Sequence, residues 1–395
     1  MASDNQQSDN VSRRKFLLAS GAGATAALAG CTGGGDDDTT TDGGDSDNNN
    51  DDNDNSNDNS NDDSSSEASL LTAEGSSTVY PISNKGASYW VSNAPPSDGE
   101  YWGSNDEGQV PGWDKIDTDM KIADYWASKY GFEPTDKRSK PPFVVNVGLS
   151  HSGTGCKAVR DGLVDIGNSS GNITAELDIS EEERDENYVD HVVGRDGQPV
   201  VVSSDVYNNG VQQLTGEQVR KIYQDEITNW KEVGGPDKQI YVVGRAEGSG
   251  TDTSFRSNML GDPDAPMPGV DTRQGQNHGV RKVVQQNEGA IGYMALAFTN
   301  DNVLPIAIDF DGTTYKPDKD AENTIFDSSY PLNRDLHMYT TKTEDTPNGT
   351  DKREAAFINM FLSEFGQKVF VEANNYIPLP SKDIEKEKGK LPDQA

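Results

Sequence analysis

Apolar residues along this chain fall into short runs, separated by stretches with a helical period. The pattern predicts strands over 70–74, 143–147, 165–167, 199–203, 240–244, 290–294, 303–308 and 336–339. It predicts helices from Pro81 towards Trp90 and over 120–130, 156–162, 215–223, 250–260, 280–286 and 353–372. The last of these is the longest amphipathic stretch. Thr215 reads as an N-cap with Glu217 in the first turn, and Pro305 makes 303–308 an edge strand. Strands alternating with helices imply an α/β chain with parallel sheets. Residues 92–142 interrupt the alternation as an insertion, rich in Pro, Gly, Trp and Asp up to 119. Its Trp102, Trp113 and Trp126, with Trp90 just before it, read as the core of a subdomain.

Before the first strand the pattern is different. Ser12-Arg13-Arg14-Lys15-Phe16-Leu17 is a twin-arginine pattern, followed by an apolar run too short and too rich in Gly and Ala to span a membrane. It ends in Leu28-Ala29-Gly30-Cys31, which resembles a lipoprotein cleavage box. The expectation is a signal peptide over 1–30, a lipid on Cys31 and anchoring by that lipid alone. Residues 31–69 are Gly, Asp, Asn, Ser and Thr with almost nothing apolar up to 67, which predicts a disordered acidic tether.

Charge sharpens this picture. The 395 residues carry a net −33. Residues 1–30 contribute +1 and the twelve aspartates of 36–63 contribute −12, which leaves −22 on 64–395. Such a surface argues against nucleic acid as a partner, since a phosphate backbone needs a basic face. It fits a salt-adapted surface of the halophilic kind, where ions screen self-repulsion. The length allows two lobes with cores of their own. With Cys31 modified, Cys156 has no disulfide partner, and four widely spaced histidines offer no metal pattern. No metal and no cofactor are expected.

Candidate chemistry sits in three strand–turn–helix junctions of one composition: Gly75-Ser76-Ser77-Thr78, Ser152-Gly153-Thr154-Gly155 and Gly248-Ser249-Gly250-Thr251. The first N–H groups of a helix lack intrahelical partners and lie at the positive end of its dipole. Gly lets an anion approach them, and Ser or Thr adds a hydroxyl. Each turn taken alone is also an ordinary helix cap. Arg245, four residues before Ser249, can offer a planar fork of donors to two oxygens, and Glu247 could hold that guanidinium by an ion pair. No Gly-Lys-Ser/Thr follows any of the turns, so none is a nucleotide-binding P-loop. Glu247-Gly248-Ser249-Gly250-Thr251 lacks the Gly-x-Ser-x-Gly elbow of a nucleophilic serine, so no catalytic residue and no enzyme activity are expected.

Read in order, these pieces form a resemblance. Gly75-Ser76-Ser77-Thr78-Val79-Tyr80-Pro81-Ile82 is similar to the opening motif of the periplasmic phosphate-binding proteins of ABC transporters. Similar in turn are Ser-Gly-Thr-Gly at 152–155, Val-Asp-Ile-Gly-Asn-Ser-Ser at 164–170, His-Val-Val-Gly-Arg-Asp-Gly at 191–197, Arg245 to Thr251, and Gly-Ala-Ile-Gly-Tyr at 289–293. The resemblance covers roughly residues 70–385. It implies a two-lobed periplasmic-binding-protein fold of type II, each lobe a mixed sheet flanked by helices, joined by two crossover strands. Lobe 1 would take 70–200 and 301–385, lobe 2 would take 201–300, and 386–395 would be a tail. The implied ligand set is Thr78, Val79, Ser152, Thr154, Ser170, Arg245, Ser249, Gly250 and Thr251, supported by Ser169 and Glu247. The implied partners are inorganic phosphate and the membrane subunits of an ABC permease, with the protein a lipid-anchored monomer on the outer face of the cytoplasmic membrane. Many members carry an acidic residue where Ser170 stands, and others have Ser-Ser-Arg where this chain has Ser169-Ser170-Gly171. That departure leaves another tetrahedral oxyanion, such as sulfate, molybdate or tungstate, as the alternative ligand.

Overall fold

The β-branched runs and the Gly-Ser-Thr turns mark most of the strand ends, and a computed structural model shows how those strands assemble. It describes residues 70–98, 101, 116, 118–344, 346 and 348–395. The expected signal peptide, Cys31 and the tether lie outside these residues, as do Trp102 and Trp113. The described strands are, in chain order, β1 (Leu71–Ser76), β2 (Val145–Ser150), β3 (Ile166–Ser169), β4 (Tyr188–Asp196), β5 (Val200–Ser203), β6 (Gln213–Thr215), β7 (Tyr241–Arg245), β8 (Thr272–Gln274), β9 (Ala290–Tyr293), β10 (Val303–Pro305), β11 (Ala307–Phe310), β12 (Thr313–Tyr315) and β13 (Arg334–Thr341).

Two five-stranded sheets form the two lobes. The first has the order β2-β1-β3-β13-β4 and the second the order β10-β5-β9-β7-β8. Their topologies match. In each, the strand next to one edge (β1 or β7) runs parallel to both neighbours. In each, the strands on the far side are antiparallel, β13 against β3 and β4, and β5 against β9 and β10. The sheets are therefore mixed. Parallel pairs occur where a helix returns the chain, and antiparallel ones where it crosses between lobes. A small third sheet, β12-β11-β6, belongs with lobe 2. β10 lies at a sheet edge and carries Pro305, the position a residue without an N–H tolerates.

The strand pairing moves the expected lobe boundary. β10 pairs with β5 and β11 with β6, so residues 303–310 belong with lobe 2 and the chain rejoins lobe 1 only at β13. Apolar pattern alone marks a strand without saying which sheet it joins. The expected tail is not loose either. Residues 381–388 form a helix, and Glu387 is buried where its carboxylate accepts the Val192 N–H at 2.9 Å. The predicted helix over 353–372 is broken. Lys352–Phe361 ends at Leu362, Ser363 caps a second helix by accepting the Gly366 N–H at 2.9 Å, and a π turn follows at Gln367–Val371. The hydroxyl cap competes with continuation of the first helix.

Aromatic packing holds lobe 1. Trp90, in the Tyr80–Ser92 helix, lies 4.8 Å from the Phe143 ring and edge-on to Phe357, and its indole N–H donates to the Phe143 carbonyl at 2.8 Å. Truncating a side chain so enclosed costs about 3–5 kcal/mol. Trp126 is buried in the same core, so these two tryptophans are packing residues. Lobe 2 has its own stack, Phe255 on Tyr293 at 3.8 Å, beneath the strand end that carries Arg245. No helix among the described residues is long and apolar enough to cross a membrane.

Candidate functional site

The equivalent strands β1 and β7 end at Ser76 and Arg245, and each is followed by a helix. Crevices at the carboxyl ends of such strands, where the order reverses, are where α/β sheets bind ligands. Gly75 sets up the lobe 1 side. Its φ is +142°, and a Cβ there would lie 2.1 Å from the Asn168 carbonyl oxygen, so only glycine lets β1 press this closely on β3. The result is a knot of hydroxyls. Ser76 Oγ donates to Ser170 Oγ at 2.9 Å, Ser152 Oγ lies 3.5 Å from Ser170 Oγ, and the Ser170 N–H donates to Ser152 Oγ at 3.1 Å. All three serines are buried.

Lobe 2 brings a guanidinium. Arg245 is 1 % exposed. Its donors reach the Gln274 carbonyl at 3.1 Å, the Gly275 carbonyl at 2.9 Å, Asn277 Oδ1 at 2.8 Å and, across the cleft, Ser77 Oγ at 3.3 Å. None of these acceptors is a carboxylate. Burial pushes the Arg245 pKa down to about 10, with Arg334 nearby adding to the effect, so the side chain stays charged at neutral pH. A buried cation held only by neutral acceptors is poised for an anion. Ser249, just before the Gly250–Phe255 helix, is buried, and its hydroxyl has no protein partner among the described residues.

The lobes meet around these groups. Thr78 Oγ1 lies 3.1 Å from Thr251 Oγ1, and Asn277 Nδ2 donates to Ser77 Oγ at 3.0 Å and to Thr78 Oγ1 at 3.1 Å. The Gly153 N–H donates to the Gly248 carbonyl at 3.1 Å. Gly250 is the tightest approach. A Cβ there would lie 2.3 Å from Ser152 Oγ and 2.7 Å from the Gly171 nitrogen, both in lobe 1. His151, before the Ser152–Arg160 helix, is held below its usual range by burial and then by Arg245, so it adds no charge at neutral pH.

Most of the expected ligand residues are thus brought together: Thr78, Ser152, Ser170, Arg245, Ser249, Gly250 and Thr251. Val79 is buried at the start of the Tyr80–Ser92 helix. Ser169 supports the turn, its hydroxyl donating to the Gly171 carbonyl at 2.6 Å and accepting the Gly171 N–H at 3.2 Å. Two expectations are corrected. Thr154 is exposed, because its place in the helix turns its side chain away from the serines. Glu247 is exposed as well, and the acceptors that hold Arg245 come from 274–277 instead. The helix starting at Asn277 follows β8, and the parallel pairing of β8 with β7 puts it beside Arg245. Asn277 and Arg334 join the site without any local signal in the sequence. Both lie outside the Gly-Ser-Thr turns, and their roles depend on sheet pairing that no local pattern encodes.

Known proteins are similar in sequence and architecture. Residues 124–365 match the PBP superfamily domain. A phosphate-binding protein PstS from Bacillus subtilis is 33% identical over 244 residues, which cover 60% of this chain and 72% of that protein. Another, from Staphylococcus saprophyticus, is 28% identical over 255 residues, 63% of this chain and 76% of that protein. In fold, the chain is similar to a candidate substrate-binding protein of a phosphate ABC transporter from Clostridium perfringens, solved with bound phosphate. The TM-score is 0.56 and the identity 23%, with 79% of this chain and 100% of that one covered. The chain therefore belongs to the PBP superfamily and, within it, to the family of phosphate-binding proteins PstS.

Proposed function

We propose that this chain captures inorganic phosphate between its lobes and delivers it to the permease of an ABC transporter. The observation that carries the reading is Arg245, buried without a carboxylate acceptor and facing hydroxyls of the opposite lobe. A tetrahedral oxyanion replaces hydroxyl contacts with charge-assisted ones, which are shorter and about twice as strong. Its kinship with PstS proteins names the ion. The site binds; it has no catalytic work to do. Calorimetric titration with phosphate is expected to saturate at one ion per chain, and sulfate, molybdate and tungstate are expected to compete poorly at fixed phosphate. Tighter binding of one of these three would make that ion the ligand.

The finer placement is part of the same proposal. Export by the twin-arginine motif, a lipid on Cys31 and the 31–69 tether would hold a monomer on the outer face of the cytoplasmic membrane. The net −33 supports an acidic, salt-adapted surface. Cys31→Ala is expected to move the protein from the membrane fraction to the medium, and retention in the membrane fraction would overturn the lipid anchor.

A further inference from the structure

Arg334 opens β13, on the side of lobe 1 where the chain returns from lobe 2. It is buried, and one edge of its guanidinium is clamped. Nε donates to Asp196 Oδ2 at 3.0 Å and Nη2 to the same oxygen at 2.6 Å. Asp196, wholly buried at the end of β4, is fixed in turn because its Oδ1 accepts the Leu296 N–H at 2.9 Å. The other edge faces the hydroxyl knot. Nη1 reaches Ser254 Oγ at 2.9 Å, the Gly250 carbonyl at 3.3 Å and Ser170 Oγ at 3.4 Å, and Nη2 reaches Thr78 Oγ1 at 3.3 Å.

We propose that Arg334, oriented by Asp196, is a second cationic ligand of the anion, so that among the described residues each lobe supplies one guanidinium. This rests on the phosphate reading above. Its contacts with Thr78 and Ser170 are longer than a good hydrogen bond to a charged donor, and those two hydroxyls are themselves in the ligand set. An oxyanion between them lies within reach of the same fork. Among the described residues, lobe 1 otherwise offers the ion only hydroxyls and amides. Arg334 gives it a full charge before lobe 2 closes, and Arg245 joins on closure. Gly171 gives the other wall of lobe 1 no cation among the described residues, and Arg334 supplies one from a different strand.

An Arg–Asp pair inside a hinge could also be a purely structural clasp, and one double variant separates the roles. Arg334→Gln with Asp196→Asn removes both charges and leaves no lone buried ion. The expected result is an unchanged melting temperature without phosphate and an affinity for phosphate lower by about 30-fold or more. An affinity within threefold of the parent would overturn the assignment while leaving phosphate as the ligand. A parent that binds no phosphate would sink both. Should the double variant melt early, Arg334→Lys decides. It keeps the charge and loses the fork, and about a tenfold loss in a normally folded protein is expected. Parental affinity in that variant would overturn the proposal.

Discussion

The two lobes share one strand order and divide the chemistry unequally. In lobe 1 the parallel strand β1 ends in serines, and its charge comes from β13 at the crossover. In lobe 2 the equivalent strand β7 ends in Arg245, and the hydroxyls follow on the next helix. No internal repeat is visible in the sequence, yet the folds of the halves correspond. The comparison teaches that the fold determines where ligand groups can stand, at the strand ends that face the cleft, and leaves open which residue types stand there. It also separates two burdens. The lobe 1 groups hold one another through Ser76, Ser152 and Ser170, whereas Arg245 is held by backbone carbonyls and Asn277.

The largest test of that asymmetry is Arg245→Ala against Ser152→Ala. Loss of the lobe 2 guanidinium is expected to weaken phosphate binding by about 100-fold or more, and loss of one lobe 1 hydroxyl by about tenfold, since charged hydrogen bonds exceed neutral ones. Calorimetry of both variants checks the order, and equal losses would end the distinction. Next comes the seam. Gly250→Val would push a side chain into Ser152 Oγ and the Gly171 nitrogen, so the lobes could not shut. We expect about a 30-fold loss of affinity with each lobe still folded. Small-angle scattering with saturating phosphate should show a more extended molecule than the parent, and an identical profile would argue against it.

The smallest expected effect concerns pH. Glu176 of lobe 1 has an enclosed Oε1 without a hydrogen-bond partner among the described residues, beside Gly171 and across from Thr253 of lobe 2. Burial, with some repulsion from Asp252, raises its pKa from 4.5 to about 7, while Thr253, Lys157 and Arg334 pull it down. This value holds where the lobes meet, and opening the cleft is expected to return it towards 4.5. Its contribution to closure is therefore fully present below about 4.5 and is lost as pH rises through about 7. Phosphate affinity of the parent relative to Glu176→Gln should fall by about tenfold from pH 5.5 to 8. Taking the ratio at each pH cancels the titration of phosphate itself. A flat ratio would mean that Glu176 does not titrate on closure.

Much of this molecule is readable from the chain because its signals are local. The Gly-Ser-Thr turns mark strand ends at which the first N–H groups of a helix have no intrahelical partner. Thr215 caps its helix as expected, in a reciprocal box with Gln218. Arg245 stands out by its distance from Ser249-Gly250-Thr251. Other features require contacts between residues far apart in sequence. Asp196 and Arg334 are 138 residues apart, and nothing near either one foretells the pair. Ser363 ends a helix that its apolar period would continue. That β10 and β11 stay with lobe 2 depends on which strand edges remain to be paired, and composition does not record that. Local sequence specifies caps, turns and periods through neighbouring backbone groups. Which charges and hydroxyls share one enclosed space is a property of sheet order and of two lobes in contact.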